Sequence, residues 1–292
     1  MKKLPSILAL GCFLLAPAFA GAADTKQEAS VSFNYGMADS VFDAEGNQED
    51  LPEGVDASFM VIGLDYSYEV MDGLKVGVSL PIVQKAYKVE AGGQVLADNS
   101  AFGLGDPTIG ATYMHGISDM ISVGGGLDVK LSMGETEEGS ANTTDEAMHI
   151  TAKALVSATP VDNLGVDLDA GYIMTMGGPE SQLGDLDHGD TIFTNLYLGY
   201  TVSGITPRIG VHYSTTSAIT VAESGDELPD SERNRLSISA AVDYDINDTM
   251  TVTAGVGANS IHEGTNLPYG YALSGANYSA GLAFGLGFSA AF

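Results

Sequence analysis

The final stretch, Asn277 to Phe292, constrains the fold most strongly. Tyr278, Ala280, Leu282, Phe284, Leu286, Phe288, Ala290 and Phe292 share one parity. Ser279, Gly281, Gly285, Gly287 and Ser289 fill the other, with Ala283 and Ala291 as mild exceptions. A period of two describes a β-strand with one greasy face and one small, polar face. The strand runs to the last residue, and that residue is Phe. A free apolar edge of this kind is a hazard in water. It is accommodated when the strand closes a barrel whose outer face meets the acyl chains of an outer membrane.

The front of the chain agrees. Lys2 and Lys3 form a short positive region, Ile7 to Ala16 an apolar one, and Ala18-Phe19-Ala20 a cleavage signal. Residues 1–20 are expected to be a cleaved signal peptide and residues 21–292 a single barrel domain. Cys12 falls within the leader, so the mature chain is expected to carry no disulfide and no thiolate metal site.

With 37 glycines and no tryptophan, the remainder suits one large β-domain. No window holds eighteen consecutive apolar residues, the length a helical span needs. Closed barrels are the other structure able to cross a bilayer, because every backbone polar group must be paired inside lipid. The formal charge of −27 argues against nucleic acid and against anionic lipid surfaces. The acids come in runs: Asp39 to Asp56, Glu135 to Glu146, and Glu223 to Glu232. These runs lie between alternating stretches and are read as solvated outer loops. None has the spacing of an EF-hand, so no metal site and no cofactor is assigned.

Alternating stretches recur about twelve times along the chain. They fall near 30–38, 57–70, 74–82, 105–115, 121–131, 148–156, 164–174, 190–202, 205–213, 236–244, 249–260 and 277–292. Tight turns near 72, 117, 161, 203 and 247 alternate with long connections near 47, 97, 139, 183, 225 and 268. Short periplasmic turns and longer extracellular loops are the signature of a transmembrane antiparallel β-barrel. Tyr66, Tyr68, Tyr113, Tyr172, Tyr200, Tyr213 and Tyr244 are placed for an interfacial girdle.

Two segments carry a family resemblance. Ser79-Leu80-Pro81-Ile82-Val83 is followed by Phe102-Gly103-Leu104-Gly105-Asp106-Pro107-Thr108-Ile109-Gly110 and then Tyr113. Further on stands Lys130-Leu131-Ser132-Met133-Gly134-Glu135, with Ser132-Met133 where the family usually has Pro-Thr. Together they resemble the outer-membrane family named for the MetA-pathway of phenol degradation. The resemblance implies a barrel that passes small, often aromatic or hydrophobic, molecules.

If the apolar parity faces lipid, the other faces the lumen. The expected pore-lining residues are Asp65, Glu69, Asp128, Lys130, His149 and Lys153, followed by Asp167, Asp169, Arg208, His212 and Asp243. Lys75, Asp106 and Asp245 share that parity. Counting back from the turn near 161 sets Lys153 opposite Asp169, with Asp128 on its other side. Arg208 and Asp243 form a second expected pair. Acids outnumber bases, so a cation-preferring constriction is expected, either narrow or occluded by an inward-folded loop, from about 177 to 190 or the first loop.

The expected function is passive uptake of small molecules. Its partners are outer-membrane lipid and lipopolysaccharide, a small-molecule solute and the barrel-assembly machinery engaging the strand that ends at Phe292. Two further readings stay open: a structural or adhesive barrel with cation-binding loops, and a lipid or ester hydrolase. Neither a G-x-S-x-G elbow nor an H-E-x-x-H motif supports the last, and no catalytic residue is assigned.

Overall fold

The computed structural model describes residues 27–42, 48–50, 53–133, 143–144, 146–178, 180–181, 184–227, 232–262 and 277–292. The expected leader, with Cys12, lies outside them. The first strands are β1 (Gln27–Phe42), β2 (Gln48–Asp50), β3 (Val55–Met71), β4 (Leu74–Ala91), β5 (Gln94–Leu104) and β6 (Thr108–Ser118). Then come β7 (Ile121–Lys130), β8 (Met148–Val161), β9 (Leu164–Met176), β10 (Glu180–Ser181), β11 (Gly184–Asp187) and β12 (Thr191–Tyr200). The last are β13 (Ile205–Thr216), β14 (Thr220–Val221), β15 (Arg233–Asn247), β16 (Met250–His262) and β17 (Asn277–Ala291).

Twelve of these strands make the wall of a closed antiparallel barrel. Neighbours run β1, β3, β4, β6, β7, β8, β9, β12, β13, β15, β16 and β17. β17 then pairs back onto β1, from Glu28 opposite Ala291 to Phe42 opposite Asn277. Closure satisfies the edges that lipid would leave unpaired. The alternating parity read from the sequence is the inside–outside alternation of this wall. Phe284, Leu286 and Phe288 of β17 and Val31, Phe33 and Tyr35 of β1 are exposed, as are all seven tyrosines assigned to the girdle.

The inner turns are short for local reasons. Ser203 and Gly204 both adopt positive φ, 52° and 76°, and Val202 and Ile205 exchange backbone hydrogen bonds at 2.8 and 3.0 Å. This is the two-residue turn whose twist matches a hairpin. Asn163, φ 68°, serves the turn between β8 and β9.

The structure corrects one expected loop. The segment near 97 is β5, joined to β4 through Gly92-Gly93. Here β4 runs on past its first partner: Leu74–Ser79 pair with β6, while Ile82–Ala91 pair with β5. Charged Lys88 and Glu90 pair there at 2.5 Å, so the periodicity fades from the sequence. The expected fourth strand, 105–115, is β6, which starts at Thr108 after a break at Gly105-Asp106-Pro107 that separates it from β5. Pro107 has no N–H to give a ladder, and its carbonyl accepts from Leu131 N at 2.8 Å. β7 ends at Lys130, so among the described residues β5 has a ladder only on its β4 side.

The loop expected to fold inward holds the β10–β11 hairpin, and β11 pairs with β14 of the next outer loop. Those backbone hydrogen bonds thus run to a neighbouring loop.

Candidate solute path inside the barrel

Strand alternation puts the residues singled out above on the inner face, and the register decides which of them meet. Lys153 Nζ donates to Asp128 Oδ2 at 2.7 Å. Its ladder partners are Gly126 and Gly171. Asp169 lies one inward position lower, opposite Leu155 and Asn195. The expected Lys153–Asp169 pairing is thereby corrected. The tight turn centres on Asp162-Asn163 rather than on 161, and with the one-residue shift between Ala158 and Val161 this leaves Lys153 two residues from its expected partner. Asp169 instead accepts from Asn195 Nδ2 at 2.6 Å. Asn195 Oδ1 in turn meets His212 Nδ1 across β12 and β13.

The second expected pair is present as an ion pair with one hydrogen bond. Arg208 Nε lies 2.6 Å from Asp243 Oδ2, and its terminal nitrogen donates to Oδ1 at 2.8 Å. Thr253 Oγ1 donates to Oδ1 of the same carboxylate at 2.6 Å. Asp243 is 2% exposed, so its charge depends on this set of donors.

The remaining residues make separate contacts around the wall. Asp65 accepts from Ser30 Oγ at 3.1 Å. Glu69 accepts from Gly73 N at 3.0 Å and braces an inner turn. His149 shares a 3.4 Å contact with Thr175 Oγ1. Asp167 faces inward opposite Ser157 and Tyr197. Lys130 reaches Asp106 at 3.7 Å.

Asp106 is buried at the strand break. It accepts from Met133 N at 3.0 Å and from Thr144 Oγ1 at 2.9 Å, while Thr143 Oγ1 donates to Leu104 O at 2.7 Å. The Gly-Leu-Gly-Asp segment therefore ties the loop after β7 to the wall where the ladder stops.

Sequence reasoning missed the inner face of β12. Phe193, Asn195 and Tyr197 point inward there, and Phe193 stacks on His212 with centroids 6.5 Å apart. Aromatic residues on the inner parity stand beside Ile192, Leu196 and Leu198 on the outer one, so no greasy-versus-polar contrast marks the strand. Phe59, Val61 and Val83 were hidden in the same way. They form an apolar patch on the inner face of β3 and β4, with Val61 directly opposite Val83.

Glycines give these side chains room. A Cβ on Gly126 would lie 2.7 Å from Lys153 Cε, and one on Gly210 would lie 2.9 Å from the Tyr197 ring. Gly36 likewise yields its place to Phe59. The inner glycines are thus the spaces into which large neighbours lean.

Among solved structures, the chain is similar to an outer-membrane channel from Pseudomonas putida F1. The identity is 13%, the TM-score 0.74, and the match covers 95% of this chain and 100% of the other. It is also similar to the β-domain of the Bordetella autotransporter BrkA, at 10% identity and TM-score 0.52 over 92% of this chain and 100% of that one. The porin NanC matches at 10% identity and TM-score 0.51, over 90% of this chain and 98% of that one. At such identities the likeness is one of fold. A search of the curated proteins returns no match. The family described as MetA-pathway of phenol degradation matches residues 38–276, most of the barrel, and the chain belongs to that family of outer-membrane β-barrels.

Proposed function

We infer that this barrel is a passive channel through which small aromatic or hydrophobic molecules cross the outer membrane. The observation that carries the reading is the apolar cluster of Phe59, Val61 and Val83, which with Phe193 of β12 sets hydrophobic side chains on the inner face. A water-filled porin has no use for such a surface, whereas a pathway for hydrophobic solutes needs a place to shed water. The family description, which refers to phenol degradation, supports the same cargo. So does the width of a twelve-stranded wall, intermediate between packed eight-stranded barrels and open sixteen-stranded channels.

The ion pairs suit a narrow constriction. Asp128 with Lys153, and Arg208 with Asp243, hold their charges against the wall and leave neutral solutes few unpaired charges to meet.

Uptake of a labelled monoaromatic hydrocarbon by cells with intact lipopolysaccharide tests the reading. Expression of the barrel should accelerate uptake, and Val83→Asp, which charges the patch, should remove most of the gain. Uptake no faster than in cells lacking the barrel would sink the proposal.

A further inference from the structure

Strands in a closed barrel are tilted, so a row of ladder partners climbs as it passes round the wall. One such row consists entirely of hydrogen-bonding side chains. It begins at Asp245 near the inner end of β15 and passes to Thr251, Ser289, Ser30 and Asp65, each directly opposite the one before. It continues through Ser79, Thr108, Lys130 and His149 to Thr175. The ends of the row lie at opposite mouths of the barrel. Thr251 is next to the inner start of β16, and Thr175 is next to the outer end of β9.

Three further observations set this row apart. All ten residues are half-buried except Thr251, which is 9% exposed. Two inward rows nearer the outside, the wall closes over Asn34, Val61 and Val83, at 4%, 6% and 1% exposure. Among the described residues, the Ser79, Thr108 and Ser289 hydroxyls have no hydrogen-bonding partner, so their donors and acceptors are available to a passing molecule.

We propose that this row is a polar ramp along which small neutral solutes bearing hydroxyl groups are handed through the barrel. The chemistry of the rungs selects the class. Ser and Thr both donate and accept, the carboxylates of Asp65 and Asp245 accept, and Lys130 donates. A hydroxyl group matches every rung because it does both. An anion meets two carboxylates on the way down, and a cation meets Lys130 near the outer mouth. The apolar patch lies on the same two strands as Asp65 and Ser79, two inward positions further out. A hydroxylated ring thus passes an apolar stretch of wall close to a rung for its hydroxyl. The inference rests on the channel reading above and adds the polar handle that the solute must carry.

Liposome swelling with two probes of similar size tests the ramp. Ribitol carries five hydroxyls, and glycine betaine carries no hydrogen-bond donor. Wild-type vesicles should swell in both. The double variant Ser79→Ala/Thr108→Val should slow ribitol about fivefold, the equivalent of one lost hydrogen bond, and leave betaine within about twofold. Ser67→Ala, inward-facing on the adjacent row, should leave ribitol unchanged. An unheated gel-mobility shift confirms that each barrel is folded. The ramp is overturned if ribitol and betaine slow together, if neither slows, or if Ser67→Ala acts like the double variant. Swelling in betaine alone would overturn the ramp and leave the channel standing. Swelling in neither probe would overturn the ramp, while the channel stands or falls on the hydrocarbon uptake described above.

Discussion

The inner face of the barrel is divided into two unlike arcs. From β7 to β15 it carries the large and charged side chains: Asp128, Lys153, Asp169, Tyr197, Arg208 and Asp243. From β16 through β17 to β1 it is built chiefly of small residues such as Gly255, Gly285, Gly287, Ser289, Ser30 and Ser32. The charged arc is held by direct contacts, with Lys153 on Asp128 at 2.7 Å and Arg208 on Asp243 at 2.6 Å. The small arc is held chiefly by its backbone ladders. The contrast shows how one wall serves two needs. Charges inside a bilayer must be paired, and pairing needs long side chains from adjacent strands. Passage needs space, and space comes from strands whose inward residues stop at Cβ.

If that division is right, the two arcs respond differently to substitution. Arg208→Ala should have the largest effect, because it leaves a carboxylate that is 2% exposed without its cation. A loss of about 3–5 kcal/mol is expected, read as a lower midpoint for heat-induced mobility change on gels, with Arg208→Lys recovering part of it. A midpoint unchanged by Arg208→Ala would show that the charged arc is not held by its ion pairs.

Next comes Asp106→Ala, at the break between β5 and β6. Two donors, Met133 N and Thr144 Oγ1, lose their acceptor, and a cost of about 1–3 kcal/mol follows. Protease cutting in the segment after β7 should quicken. Unchanged cutting would mean that the loop is tied down elsewhere.

Overfilling sharpens the comparison further. Gly210→Leu collides with Tyr197 and with Ser239 Oγ, 2.6 Å from a Cβ at that site, and should cost about 1–3 kcal/mol. In the small arc, Ser289→Ala removes a hydroxyl with no partner among the described residues. It should stay within about 0.5 kcal/mol in the same assay. Equal losses from the two variants would erase the distinction between the arcs.

Legibility from sequence followed the solvent contrast. Where a strand divides lipid from a polar interior, as β17 does with Phe288 beside Gly287 and Ser289, the chain states its own geometry. The inner turns were legible because hairpins need turn residues such as Ser203-Gly204, whatever the surroundings. Legibility failed in two circumstances. On β12 and the outer part of β3, aromatic and aliphatic side chains face inward, so both parities are greasy. On the outer half of β4 and on β5, charged residues such as Lys88 and Glu90 interrupt the alternation.

The amino-acid sequence alone determined that the chain alternates, that its wall suits lipid, and that its turns are short on one side. These follow from a local period of two and from the single environment each face must satisfy. The tertiary structure decided which charges touch. A bulge of the kind between Ala158 and Val161 shifts every partner along a hairpin, and barrel closure brings Ser30 beside Ser289 across nearly the whole length of the chain. Pairing across strands depends on register summed over turns and on the tilt that closure imposes. Both are properties of the assembled wall, and no stretch of sequence contains them by itself.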